Sequence, residues 1–156
     1  MPQFFIENSD VILKLLVAVG LGMLIGAERL LVHKEAGMKT HALVSLGAAV
    51  FMVISEAMTL KYMNLPGLNP TMMVSQIIVG IGFLGAGSII FHSNKLLGLT
   101  TAGGLWVTAG IGMAAGFGLF GLATIITILV LFILVVFNLF EKPIRKISAD
   151  IDSTPH

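Results

Sequence analysis

Ionisable and polar side chains lie within long apolar tracts of this sequence, and they are the residues that could do chemistry. A charged group at the centre of a bilayer costs about 3 kcal/mol or more, so each such group needs a partner or a function. One set, the Arg29 cluster, falls at one end of the tracts: Glu28, Arg29, Lys39, Thr40, His41, His92, Thr100 and Thr101. The second set, the Lys14 cluster, falls at the opposite end: Lys14, Glu56, Asn69 and Gln76.

Two kinds of chemistry fit the Arg29 cluster. The first is a network of ion pairs and caps that fixes helix ends, and the sequence favours it. Glu28 and Arg29 are adjacent and point about 100° apart on a helix, so each is expected to pair with a different neighbour. The second is a pocket for a small polar ligand or a partner protein, in which His41 near a carboxylate could sense pH.

The Lys14 cluster predicts an ion pair across two helices. Lys14 and Glu56 each lie about 5–6 Å below the end of their apolar tracts, at 1.5 Å per residue. Pairing would neutralise both charges, although each side chain could instead extend to water. Mg²⁺ takes oxygen ligands that usually include one or two carboxylates. A magnesium site is weakly supported here, because Glu56 is the only carboxylate of the second to fifth predicted helices at this end.

The composition decides which elements must position these groups. Hydrophobic residues make up 56% and charged residues 11% of the chain, against about 45–50% and 25% in soluble domains, so most of the chain is expected in lipid. The net charge of +1 argues against nucleic-acid binding. Cysteine is absent, which excludes disulfides and thiolate sites, and the four histidines have no ligand spacing.

The apolar tracts predict an all-α, polytopic membrane bundle of about five transmembrane helices. Three tracts cover about residues 11–31, 42–60 and 71–91. A fourth covers 99–140 and would be about 63 Å long as one helix, twice the hydrocarbon thickness of about 30 Å. It is therefore expected to reverse at GFGLFG, residues 116–121, because glycine permits the turn.

Helix boundaries are predicted from local residue types. Asn69 and Pro70 are typical of the start of the third helix, Thr100 or Thr101 can cap the fourth, and Pro143 helps to end the fifth. The N-terminal residues MPQFFIENSD carry no basic group, so the first tract is expected to be a retained helix. The prediction is one membrane domain over residues 1–142 and a short cytoplasmic tail over 143–156.

The basic residues predict the orientation. Seven of nine fall on one predicted side, which by the positive-inside rule is cytoplasmic and also holds the C-terminus. They are Arg29, Lys34, Lys39, Lys95, Lys142, Arg145 and Lys146, against Lys14 and Lys61 on the other side. The N-terminus is therefore expected outside.

Glycines predict where helices approach closely, since small residues drive packing in lipid. On the third helix, Gly80 and Gly87 share one face and Gly82 and Gly85 the opposite face, so this helix is a candidate for the centre of the bundle. Glycines with packing spacing also occur on the first and fourth helices: Gly22, Gly26, Gly104, Gly112 and Gly116, with Thr108 in the same stripe. Surplus small-residue faces suggest a homodimer. Alternatively, the third helix is broken and its carbonyls coordinate an ion.

Several segments together carry a family resemblance. They are GAER at 26–29, AGMKTHALVSLGAA at 36–49, NPT at 69–71, QIIVGIGFLGAG at 76–87 and GLTTAGGLW at 98–106. In these segments the chain resembles the membrane domain of the MgtC/SapB family of bacterial inner-membrane proteins, over about residues 20–118. The resemblance implies adaptation to low magnesium or acid stress, with members discussed as magnesium transport proteins and as regulators of machines such as the F-type ATP synthase.

The chain departs from the family pattern in two places. The family usually has Asp-Pro-x-Arg where this chain has Asn69, Pro70, Thr71 and Met72, so a role that needs the acidic or basic residue is not expected here. Many members carry a soluble C-terminal domain, whereas fifteen residues follow Glu141 in this sequence.

Two functions follow as hypotheses. The first is a non-enzymatic factor in divalent-cation or acid-stress homeostasis, which binds a small ligand or a membrane partner such as a cation pump or ATP synthase. The second is a transporter of Mg²⁺ or another small solute, with a path enclosed by a dimer. No enzyme motif occurs, and the GxGxxG at 80–85 has no nucleotide meaning inside an apolar helix. No cofactor is expected, Mg²⁺ being the one candidate, and the predicted surroundings are the lipids of the bacterial inner membrane.

Overall fold

The chain folds into an all-α bundle with one small hairpin, which confirms the predicted fold class. A computed structural model describes residues 8–62, 71–92 and 95–152, with backbone only for residues 71 and 141–152. The elements in chain order are α1 (Ser9–Leu31), α2 (Met38–Lys61), α3 (Thr71–Gly87), β1 (Ile90–His92), β2 (Lys95–Leu97), α4 (Leu99–Gly116) and α5 (Phe120–Asp152).

Among the described residues, three helices are long and apolar enough to cross a membrane. These are α1, α2 and the Phe120–Phe140 part of α5, whereas α3 contributes the shorter apolar segment Met72–Gly87. These lengths and compositions, with the apolar surface of the helices, identify a membrane protein. The five crossings and the outside N-terminus stay predictions.

The reversal between the last two helices lies where the glycines predicted it. Helix α4 ends at Gly116 and α5 begins at Phe120. Gly118 has a φ of +76°, which a residue without a Cβ adopts at little cost. The amide of Leu119 donates to the Ala114 carbonyl at 2.9 Å and closes the turn.

The segment after α3 differs from the prediction, because the third helix ends at Gly87 and not near residue 91. Ser88 ends the helix by donating its hydroxyl to the Gly85 carbonyl at 2.7 Å. The chain then forms an antiparallel hairpin in which Ile90 faces Leu97. At Gly98 the φ is +88°, and a Cβ there would overlap the Ser88 carbonyl oxygen, so the base of the hairpin requires glycine.

Two boundary predictions are wrong. Neither Thr100 nor Thr101 caps α4, because the N-cap residue is Gly98, which places both threonines inside the first turn. Pro143 does not end the last helix, since α5 continues to Asp152. A proline removes one backbone hydrogen bond and can kink a helix without ending it where its neighbours favour helix. Asn69 and Pro70 lie outside the described residues.

Helix α4 is the centre of the bundle, because it packs against each of the other four helices, and α2 packs most extensively against α1 and α4. A Cβ on Gly22 or Gly26 of α1 would lie 2.7 Å from the His41 carbonyl oxygen or 2.5 Å from the Met38 Cα. On α4, a Cβ on Gly116 would lie 2.8 Å from the Ala49 carbonyl oxygen. The backbone of α2 therefore touches glycines on both sides.

Helix α3 is peripheral, which corrects the prediction that it lies at the centre. Within the described residues, no atom comes within 4 Å of a Cβ built on Gly80, Gly82 or Gly87. A Cβ on Gly85 would meet Ala102 of α4 at an ordinary 3.6 Å. Two glycine faces permit two close neighbours, but within the described chain only one of those faces meets a helix.

Candidate functional site

The Arg29 cluster divides into a buried part and an accessible part. The side chains of Glu28, Arg29 and His41 are buried, and Arg29 lies beside α5 and the start of α4. Lys39, Thr40, Thr100 and His92 are exposed, and Thr101 is buried at the start of α4. The cluster therefore offers both a sealed polar interior and a surface that a ligand can reach.

Glu28 and Arg29 form an ion pair with each other, in which the Arg29 Nε donates to the Glu28 Oε2. The prediction that each pairs with a different neighbour is wrong. Both side chains are removed from water, and a buried charge is tolerated when the nearest opposite charge neutralises it. The long side chains bridge the 100° between adjacent positions. Among the described residues, the Glu28 Oε1 has no hydrogen-bond partner.

His41 is fixed by a threonine of α4 that the sequence presented only as a small residue. The Thr108 hydroxyl donates to the Gly104 carbonyl at 2.8 Å and lies 2.8 Å from the His41 Nδ1. A hydroxyl has one proton, so it accepts from His41, and Nδ1 carries the hydrogen. One signal could have predicted this pair. Thr108 lies in the glycine stripe of α4, where a neighbouring helix can approach closely, and His41 is a buried polar residue on such a neighbour.

The buried interior retains polar atoms without partners. Within the described chain these are the Glu28 Oε1, the His41 Nε2 and the Ser45 Oγ. Ser45 follows His41 by one helical turn and lies against Gly22 and Gly112. Atoms of this kind are the usual partners of buried water. The face of α2 that packs against α1 and α4 is thus polar at His41 and Ser45, although the helices around it are apolar.

The accessible part of the cluster borders three connected grooves. The outer groove, of about 370 Å³, lies between the α1–α2 loop, the hairpin and the start of α4, and its polar lining is His33, Lys34, Glu35, Ser88, Thr100 and Thr101. The middle groove, of about 420 Å³, lies among α2, α3 and α4 and is lined by Thr40 as well as Thr101. A third groove, of about 90 Å³, brings Arg29 beside Lys34 and Thr100.

The grooves include only part of the predicted cluster. Arg29, Thr40, Thr100 and Thr101 line them, whereas Glu28, Lys39 and His41 do not. Sequence reasoning missed Lys34 and Ser88 as lining residues, because both lie in connecting segments. Lys34 is held in place through its backbone amide, which donates to the Arg29 carbonyl at 2.9 Å.

The Lys14 cluster contains the predicted ion pair. The Lys14 Nζ lies 2.8 Å from the Glu56 Oε2 and 3.0 Å from the Asp10 Oδ2. Asp10, one turn before Lys14, was missed by the sequence reasoning. Gln76 is exposed on α3 and lines a crevice beside α2. Asn69 lies outside the described residues.

Exchanging the charges of Lys14 and Glu56 tests this pair. The single variants Lys14→Glu and Glu56→Lys place like charges together and are expected to lower the melting temperature in detergent. The double variant restores an attraction between α1 and α2 and is expected to recover most of the loss. Asp10 stays beside the new carboxylate at position 14 in the exchange, so recovery is incomplete. A double variant no more stable than the single variants would contradict the pairing, and Lys61→Glu at the exposed end of α2 is the control.

Comparisons with known proteins place this geometry in context. The model of the MgtC family matches residues 15–143. The chain is 37% identical over 133 residues to "Putative magnesium transporter YhiD" of Escherichia coli K12, covering 84% of this chain and 62% of that protein. It is 46% identical over 120 residues to Protein MgtC of Salmonella typhimurium strain 14028s, covering 77% and 49%.

A further relative is Protein MgtC of Brucella abortus, 40% identical over 111 residues, covering 71% of this chain and 44% of that protein. The chain therefore spans between about half and two thirds of the length of these curated relatives. No solved structure matches the chain.

Proposed function

Because this chain belongs to the MgtC family, we propose that it is an inner-membrane factor for magnesium or acid-stress homeostasis that acts by binding. The name of the Escherichia coli relative, a putative magnesium transporter, supports the magnesium part of this proposal. The MgtC family is not known as a family of enzymes. The ligand or partner protein binds, in this proposal, at the grooves beside the Arg29 cluster.

One observation carries the proposal: at one end of the bundle, accessible grooves are lined by polar side chains that the fold holds in place. Thr100 and Thr101 at the start of α4 face Lys34 of the α1–α2 loop across the outer groove. The grooves are large enough for a small molecule or an inserted side chain, with volumes of about 370 and 420 Å³. Binding at such a place needs no opening of the buried polar interior around His41 and Ser45.

The chemistry of the interior supports binding over conduction of Mg²⁺. Mg²⁺ keeps several waters and is held by carboxylates. In the described part of the chain, the carboxylate buried inside the bundle is Glu28, and Arg29 occupies one of its oxygens. The guanidinium charge would repel a divalent cation. At the other end Lys14 lies between Asp10 and Glu56 and neutralises much of their charge.

Transport remains the second candidate because of one observation on the relatives. The Escherichia coli relative is named a putative magnesium transporter, and a path between two chains would not depend on the interior of one. Two copies meeting at the open face of α3 could supply it. The homodimer is a proposal that belongs to the transport function. A partner such as a cation pump or the ATP synthase is a proposal that belongs to the binding function.

Magnesium flux into sealed vesicles separates the two functions. We expect vesicles that contain only the purified protein to take up Mg²⁺ at the rate of protein-free vesicles, since within the described residues the buried carboxylate of Glu28 is neutralised by Arg29. Vesicles containing an established magnesium channel set the detection limit. The same protein is expected to support growth at low Mg²⁺ in cells whose own copy is deleted. Uptake that rises with the amount of protein would overturn the binding function.

A further inference from the structure

We propose that the connected grooves bind one phospholipid, with its phosphate at the N-terminus of α4 and an acyl chain in the crevice between α2 and α3. The proposal rests on the proposed function, because it names the ligand class of the same grooves. The crevice is the apolar continuation of the middle groove and has a volume of about 510 Å³. Basic pockets between helices at a membrane face are typical sites for lipid head groups.

The start of α4 provides the phosphate end of the site. Its N-cap residue Gly98 has no side chain, so no side-chain cap covers the first amide groups of this 18-residue helix. Unpaired amides and the helix dipole favour an anion at this position. Lys34 and His33 line the same groove. The groove therefore combines a helix end with a basic side chain.

Thr101 gives a second, independent indication of a ligand. Its side chain is 7% exposed and lines both the outer and the middle groove. The Thr108 and Thr127 hydroxyls donate to the carbonyl four residues earlier, each at 2.8 Å. Within the described residues the Thr101 hydroxyl has no such partner. A nearly buried hydroxyl that faces a groove is placed to donate to a ligand oxygen.

The grooves form one continuous path from polar to apolar surroundings. Thr101 and Ser88 line both the outer and the middle groove. Val44 and Leu84 line both the middle groove and the crevice. In the crevice the polar side chain is Gln76, and the other lining residues are apolar or glycine. A free anion would make no favourable contact with the apolar crevice, whereas a phospholipid places its phosphate at the polar end and an acyl chain at the apolar end.

The charges at the outer groove indicate the head group. Glu35 lines both the outer and the middle groove, whereas Lys34 lines only the outer of these two, so the side chains there carry both signs. A phosphate beside Lys34 and an ammonium beside Glu35 would satisfy both charges. Phosphatidylethanolamine has these two groups, and it is therefore the probe of choice.

Native mass spectrometry of the detergent-purified protein with added phosphatidylethanolamine tests the site. We expect one lipid per chain. Lys34→Gln is expected to weaken binding about fivefold, as for loss of one basic contact to a head group. Gly80→Leu is expected to weaken binding strongly by obstructing the crevice, and it should fold because no described atom lies within 4 Å of its Cβ position.

Matched controls separate the site from general effects. Lys61→Gln removes an exposed lysine far along α2, and Gly103→Leu adds the same side chain to a position of α4 with no described atom near its Cβ. Both are expected to bind lipid like the wild type. Equal binding by Gly80→Leu and Gly103→Leu would overturn the acyl-chain site.

Other occupants give distinct results that would also overturn the inference. Displacement of the lipid by inorganic phosphate at millimolar concentration would identify a free-anion site. A dimer that forms without lipid and is lost in Gly80→Leu would identify a second copy in the crevice. Absence of lipid binding, together with absent Mg²⁺ uptake and supported growth at low Mg²⁺, would remove this inference and leave the proposed function. Mg²⁺ uptake would remove the proposed function, whatever the lipid result.

Discussion

Replacing Gly112 with alanine is expected to lower the free energy of unfolding by about 3 kcal/mol, the upper part of the usual range for overpacking. The new Cβ would lie 2.8 Å from the Ser45 Cα and would overlap the Ser45 carbonyl. Helix α2 cannot move away, because Gly22 of α1 holds it from the other side, with a Cβ position 2.8 Å from the Ser45 Cβ. Unfolding by heat or denaturant in detergent measures the effect.

Gly110→Ala is the matched control on the same helix. No described atom lies within 4 Å of a Cβ built on Gly110, so this variant is expected to stay within about 0.5 kcal/mol of the wild type. Similar losses for Gly110→Ala and Gly112→Ala would show that α4 is sensitive to any added methyl group. The close approach of α2 and α4 would then not be what stabilises the bundle.

The parts of the fold that follow from local chemistry could be predicted from the sequence. An apolar tract of 42 residues over 99–140 has to fold back, and the glycines at 116–121 mark where. Lys14 and Glu56 are opposite charges at similar depth, and the structure joins them at 2.8 Å. Both results depend only on the length of a helix and on the cost of a charge in lipid.

The arrangement of the helices could not be predicted in the same way. Glycine spacing shows which faces permit a close neighbour, but it does not show which helix takes that position. The four glycines of α3 at 80–87 therefore suggested a central helix, whereas of the two glycine-rich helices α3 and α4 it is α4 that packs against the other four. The three-residue strands Ile90–His92 and Lys95–Leu97 are too short to show a pattern of alternation.

The candidate site was predictable in residue type but not in extent. Arg29, Thr100 and Thr101 line the grooves, and their polarity inside apolar tracts indicated them. Lys34 and Ser88 join them only because the loop after α1 and the hairpin come together at the start of α4. Contacts of that kind depend on the tertiary fold, which one sequence does not determine by inspection.

The variant Arg29→Met is expected to lower the free energy of unfolding by about 3–5 kcal/mol, because it leaves the Glu28 carboxylate buried without its counter-charge. Arg29 is 2% exposed and Glu28 8% exposed, so little water reaches the carboxylate to take the place of the guanidinium. The double variant Glu28→Gln, Arg29→Met removes both charges and keeps similar volumes. It is expected to recover most of the loss, since buried pairs replaced by uncharged groups are often neutral in stability.

Growth at low Mg²⁺ separates the two functions open to the Glu28–Arg29 pair. If the pair only fixes the end of α1, the double variant folds and supports growth, and Lys61→Met, which removes an exposed cation, behaves like the wild type in both measurements. If the guanidinium, which lines the smallest groove beside Lys34 and Thr100, also binds the ligand, the double variant folds but fails to support growth. A double variant as unstable as Arg29→Met would contradict the assignment of Arg29 as the counter-charge of Glu28. The double variant has no unpaired buried carboxylate, so the loss of stability in Arg29→Met would need another cause.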